Sequence, residues 1–204
     1  MSTETLTRLF AILSLIAWAG TLTVIVLAVI HRRSPDSAAG YFYEDIRANS
    51  VWLAFAVALF TTLGSLYLSE IAHFPPCPLC WYQRICMYPL FVALLVGGLR
   101  RDREVYAYVL PPAIIGAGIA IYHTQLQAFP QQSHPFCKGF DPCTVRYVWE
   151  FGFVSIPFMS LAAFSFIITM MLVLRSGREE EPEPEPLETS TPDDELSLSG
   201  QGVS

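Results

Sequence analysis

The sequence predicts an all-α integral membrane protein: a four-transmembrane-helix bundle with one extra transmembrane helix at its N-terminus. Two observations carry this expectation. Hydrophobic residues make up 53% of the 204-residue chain, and they gather into five runs near the ~20 residues needed to cross a bilayer. The basic residues collect in alternate connectors, the pattern that fixes orientation in a membrane.

The first run, residues 8–31, is too long for the apolar core of a cleaved leader, which spans roughly 7–15 residues. It ends in His31-Arg32-Arg33 with no small-residue cleavage site, so it is read as a retained helix. Residues 34–50 are mixed and polar and form a connector with room for a short interfacial helix. Residues 51–72 are the second span, and residues 81–99 the third, closed by Arg100-Arg101-Asp102-Arg103. Residues 105–128 are the fourth, with Pro111-Pro112 near its start. A polar, proline-containing loop at 129–150 leads to the fifth span at 151–174, flanked by Arg175 and Arg178. The remainder is acidic and proline-rich, the composition of a disordered tail. Three units follow: an N-terminal helix with its connector (1–50), a four-helix core (51–175) and an acidic tail (176–204).

Net charge is −6, but nine of the 18 acidic residues lie in 179–195. The body is mildly basic and shows no basic stripe with interleaved aromatics, so nucleic-acid binding has no support. Arg32, Arg33 and Arg47 mark one connector as cytoplasmic, Arg100, Arg101 and Arg103 another, and Arg175 and Arg178 the C-terminal flank. No Lys or Arg lies between Arg47 and Arg84. The expected topology is therefore N-terminus outside and C-terminus cytoplasmic, with the loops near 73–80 and 129–150 external.

Of five cysteines, Cys77, Cys80, Cys137 and Cys143 fall in those external loops, and Cys86 lies within a span. Cys77-Pro78-Leu79-Cys80 opens a helix, with proline in the first turn where its missing N–H costs nothing. A thiolate there is stabilised by unpaired N–H groups and the helix dipole. Cys137 and Cys143 enclose Gly139, Asp141 and Pro142, turn formers compatible with a local disulfide. Two external pairs suggest a thiol–disulfide relay; structural disulfides and a four-cysteine zinc site are the competing readings, and no metal is expected. Arg84 follows Cys80 by one helical turn and shares its face, placed to stabilise a thiolate and polarise a quinone carbonyl. Gln83 is a neutral donor beside it. Glu70 is either a partner of Arg84 or a solvated interfacial acid, His73 is a loop histidine, and Cys86 is turned away from Cys80 and read as a buried small residue.

Cys77-Pro-Leu-Cys80-Trp-Tyr-Gln-Arg84, with His123-Thr-Gln-Leu-Gln127-Ala-Phe-Pro130 and the cysteine-pair loop after it, resembles the signature of the DsbB/BdbC membrane disulfide-forming proteins. The resemblance covers about residues 51–175, and the spacing of the second pair looks more like the BdbC branch. It implies a protein dithiol:quinone oxidoreductase of the bacterial plasma membrane. Cys137 and Cys143 match the pair that exchanges with a thioredoxin-fold partner, DsbA-like or BdbD-like. Cys77 and Cys80 match the pair that passes electrons to ubiquinone or menaquinone, with Cys80 next to the ring. Arg84 and His123 match residues beside the quinone. The helix at 8–31 and the acidic tail have no counterpart in that four-helix core. A vitamin-K-epoxide-reductase-like enzyme shares helices and chemistry but carries its C-x-x-C late, after the loop pair. An outward-running reductant carrier needs cytoplasmic thiols or a membrane cofactor, and none is evident. A non-catalytic scaffold with structural disulfides leaves Arg84 unexplained.

Overall fold

The computed structural model describes residues 3–129 and 143–179, the last two as backbone only. Cys137 and the acidic stretch expected to be disordered lie outside the described residues. Among the described residues six α-helices form: α1 (Thr3–Arg33), α2 (Ala38–Ala48), α3 (Ser50–Leu66), α4 (Pro78–Arg100), α5 (Val105–Ala128) and α6 (Ile156–Glu179). A π-helical turn, Tyr67–Ile71, extends α3. All except α2 are long and apolar enough to cross a membrane, α3 doing so together with its π turn. The expected all-α membrane fold with five spans is what forms, and among the described residues the sole β feature is an isolated bridge between Glu150 and Val154.

Three boundaries differ by five residues from the sequence expectation. α1 starts five residues earlier than residue 8, because Glu4 and Arg8 pair one turn apart at 2.7 Å and the acid suits the positive end of the helix. α6 starts five residues later than residue 151. Phe151 and Gly152 take positive φ values of 54° and 80°, which close the Glu150–Val154 bridge and hold the chain out of helix. At its other end α6 runs to Glu179, into the stretch assigned to the tail, because Ser176 is tied to Tyr43 of α2 at 3.2 Å.

The connector between α1 and α3 does hold a helix. Ser37 caps α2 by accepting the Gly40 N–H at 3.2 Å. Gly40 must lack a side chain, since a Cβ there lies 2.1 Å from the Pro35 carbonyl oxygen. His31 of α1 stacks on Tyr43 with ring centroids 4.8 Å apart. These contacts bind the C-terminal ends of α1 and α6 to α2 at one end of the bundle.

α6 is the central helix, packed against α1, α3 and α5. Phe164, Ile167, Met170 and Met171 on it are fully buried. Without a hydrophobic driving force between helices in lipid, close approach relies on small residues. Gly116 of α5 provides it, lying directly under the Phe164 ring. Large apolar side chains such as Ile25, Phe60, Ile85, Leu99 and Ile115 point outward, as lipid contact requires.

Candidate active site

The site lies at the end of the bundle opposite α2, where α4 begins. Cys77 is the N-cap of α4 in extended conformation, and Pro78 occupies the first turn. The Cys77 sulfur accepts the backbone N–H of Cys80 at 3.3 Å. The two sulfurs are 3.0 Å apart, a thiol pair one short movement from the ~2.05 Å of a disulfide. The Cys77 thiol is pulled down from its ordinary 9.0 to about 4. The hydrogen bond from Cys80 is the main cause; burial opposes it, and His123 adds a second hydrogen bond.

His123 comes from the last turns of α5 and is only 2% exposed. Gln83 Nε2, a donor, is 3.0 Å from His123 Nδ1. In this orientation Nδ1 accepts and the ring proton sits on Nε2. That proton faces two acceptors: the Cys143 carbonyl oxygen at 3.2 Å and the Cys77 sulfur at 3.7 Å. One imidazole thereby touches the C-x-x-C motif and the second cysteine segment together. Cys143 is buried and disulfide-bonded, whereas Cys77, Cys80 and Cys86 are free.

Arg84 donates from Nε to Ser65 Oγ at 2.9 Å and from a terminal nitrogen to the Ser65 carbonyl at 2.9 Å. Those bonds use two of the five N–H donors of a guanidinium. Its partner is thus Ser65 on α3, not Glu70, which accepts from Ser69 instead. Ser65 lies just before the π turn, and such turns recur at functional sites because they loosen the regular backbone ladder. Trp81 packs against Arg84, with its ring centroid 5.3 Å from the guanidinium carbon. Cys86 packs on the main core, away from the dithiol, and His73 sits in the loop with φ of 55°.

Three residues with no assigned role in the sequence complete the site. Besides Ser65, Gln127 of α5 donates to the Val145 carbonyl at 3.1 Å. Arg146 donates back to the Gln127 carbonyl at 3.1 Å, while its guanidinium lies 3.9 Å over the Trp149 ring. These bonds clamp the segment after Cys143 to the end of α5. The available signal was weak: Gln127 stands one helical turn after His123, and Arg146 is one of only two bases in its loop.

A cavity of 390 Å³ opens beside the sulfurs. Cys77, Cys80, Gln83, Arg84 and His123 line its polar end, and apolar side chains of α1, α3 and α6 line the rest. Two buried polar atoms on its wall, Tyr88 Oη and Gln127 Oε1, have no protein partner. Buried polar groups are rarely left so: Tyr88 Oη can donate to a ring carbonyl of a ligand, whereas Gln127 Oε1 only accepts and suits a hydroxyl. The same sulfurs and His123 also bring three soft donor atoms within 4.8 Å of one another, a spacing that suits zinc and that thiol–disulfide exchange equally requires.

Fold and site together define a class: a multi-pass helical membrane protein holding a largely buried dithiol beside a mostly apolar cavity. Comparison with known proteins narrows the class. Residues 47–174 match the family model described as Disulfide bond formation protein DsbB, and the chain belongs to that family. Disulfide bond formation protein C of Bacillus subtilis (strain 168) is 47% identical over 132 residues, covering 64% of this chain and 95% of that protein. Probable disulfide formation protein C of Halalkalibacterium halodurans is 46% identical over 127 residues, covering 61% of this chain and 90% of that protein. A probable disulfide formation protein of Coxiella burnetii is 39% identical over 134 residues, covering 65% and 90%. No solved structure matches the chain. α1 lies outside the matched family region.

Proposed function

We propose that this protein reoxidises a thioredoxin-fold, extracytoplasmic dithiol protein and passes the electrons to a membrane quinone. The observation that carries the reading is the double contact of His123, with the Cys77 sulfur and the Cys143 carbonyl, beside a cavity lined by Cys80 and Arg84. A relay needs its two cysteine pairs within exchange distance, and it needs an acceptor site next to one of them.

In this reading, a partner thiolate attacks the Cys137–Cys143 disulfide, and the partner leaves oxidised. The dithiol formed at Cys137/Cys143 then attacks the Cys77–Cys80 disulfide, restoring its own disulfide and leaving Cys77 and Cys80 reduced. In the reduced pair the charge rests on Cys77, capped by the α4 N-terminus, with the Cys80 thiol as its donor. While Cys77 is tied up in a mixed disulfide it carries no charge, and Cys80 is the sulfur left facing the cavity. Arg84, one turn along, offsets the negative charge that then develops there. His123, fixed by Gln83, holds one proton at Nε2 between the two cysteine segments. Arg84, Gln83 and Tyr88 would hold a quinone, which would supply the sink for the two electrons and two protons released as the Cys77–Cys80 disulfide re-forms.

The test is quinone reduction in detergent with a reduced thioredoxin-fold donor, using ubiquinone and menaquinone analogues. Loss of the reaction in Cys80→Ser and in Cys143→Ser is expected; full turnover in either variant refutes the relay.

A further inference from the structure

α1 and α3 both rest on α6 but make no extended contact with each other. The cavity is the gap between them. α1 turns one stripe toward it: Phe10, Leu13, Ser14, Ala17 and Gly20, spaced three and four residues apart as on a single helix face. The stripe is bulky at the sulfur end and small below it. Phe10 closes the top by lying on Gly64 of α3, 3.3 Å from where a Cβ would sit, and by meeting the Tyr67 ring edge-on at 6.3 Å. Deeper down, Ser14 and Ala17 leave room, and the Phe166 ring of α6 closes the floor by packing on Gly20, 3.1 Å from where a Cβ would sit.

The gap also has a mouth. Ile16 of α1 and Phe60 of α3 line the cavity yet are 60% and 61% exposed. Ile16 is six residues below Phe10, about 9 Å along the helix. The opening therefore faces the hydrocarbon part of a bilayer, not the aqueous surface, and what enters there arrives dissolved in lipid. At the far end stand Cys80 and Arg84. An occupant must be apolar along most of its length and must carry a polar, electron-accepting head.

We infer that α1 is the outer wall of an acceptor channel: the head of an isoprenoid quinone meets Cys80 and Arg84, and its tail lies against Ser14 and Ala17 and leaves between Ile16 and Phe60. The inference rests on the quinone reading above and adds to it the element that selects by tail. α1 lies outside residues 47–174 matched to the family, so tail selectivity belongs to this chain's added helix.

Two measurements on the full-length protein in detergent test it. A quinone with a photoreactive group on its tail is expected to label wild-type protein within residues 10–20, and an excess of unlabelled long-tailed quinone is expected to remove the label. Ala17→Phe, which fills the gap, is expected to raise KM at least tenfold for a long-tailed quinone and less than twofold for a tail-less one. Leu22→Phe, on the lipid-facing side, leaves both unchanged. Oxidation of reduced donor in a single turnover without quinone stays at the wild-type rate in Ala17→Phe. Labelling confined to α3, α4 or α6, or label displaced by phospholipid but not by quinone, overturns the channel while quinone reduction by wild type keeps the broader reading. Wild type that reduces no quinone of any tail length overturns both.

Discussion

At the residue scale the Cys77 sulfur is the most perturbed group outside the spans. Its pKa of about 4 keeps it a thiolate at any pH above that value. Alkylation of the reduced protein by iodoacetamide should therefore show a midpoint near 4 for Cys77, not near 9. Cys80→Ala removes the leading cause of the shift, and His123→Ala a smaller one. The midpoint should move upward in both variants, further in the first. At pH 6, full reversion to 9 cuts the thiolate fraction about a thousandfold; an unmoved midpoint in Cys80→Ala refutes the assigned cause. Arg84 supports a second prediction. Lysine keeps the charge but not the fork that grips Ser65. Arg84→Lys should lose about 1.5–3 kcal/mol of positioning, from the worth of a hydrogen bond to a charged group. That corresponds to about a ten- to hundredfold rise in KM for quinone, with donor exchange intact. Cys77, Cys80 and Arg84 were legible because their relation is local, one turn of one helix. Ser65, Gln127 and the Cys143 carbonyl were not, since each meets its partner about twenty residues away in sequence and nothing local announces the pairing.

At the element scale the helices themselves were readable from apolar run length, and their ends were not. α6 begins where a left-handed pair, Phe151-Gly152, releases the chain, and no apolar count registers a φ sign. The central place of α6 was equally invisible, because every span is apolar and only packing tells a buried helix from a lipid-facing one. The α5–α6 contact gives a stability prediction. A Cβ on Gly116 lies 2.3 Å from Phe164 Cζ, and that ring is fully buried with no free end to swing aside. Gly116→Ala should cost about 1–3 kcal/mol, the range for overpacking a tight core, and lower the thermal midpoint in detergent. The double variant Gly116→Ala, Phe164→Leu should recover part of the loss. Gly118, whose Cβ meets nothing within 4 Å, is the matched control, with Gly118→Ala unchanged or slightly more stable.

At the scale of the whole molecule, the two ends of the bundle differ in charge and chemistry. Arg8, Glu150, the dithiol and Cys143 share one end, joined through the Arg8–Glu150 contact at 3.6 Å. The other end gathers Arg32, Arg33, Arg47, Arg100 and Arg101. α2 binds it to α1 and α6, and Trp52 of α3 packs on Gly98 of α4 there. Seven basic side chains lie at that end, counting Arg103 and Arg175, and the positive-inside bias predicts that it is cytoplasmic. On that prediction the dithiol faces the oxidising side, where a disulfide persists. In intact cells a membrane-impermeant maleimide should label a cysteine placed at the exposed Glu4, at the dithiol end of α1, whereas a cysteine placed at Ser34 in the α1–α2 connector should react only after permeabilisation. The reverse pattern inverts the protein in the membrane. It would also turn the proposed relay toward cytosolic thiols and leave it unable to reach an extracytoplasmic donor.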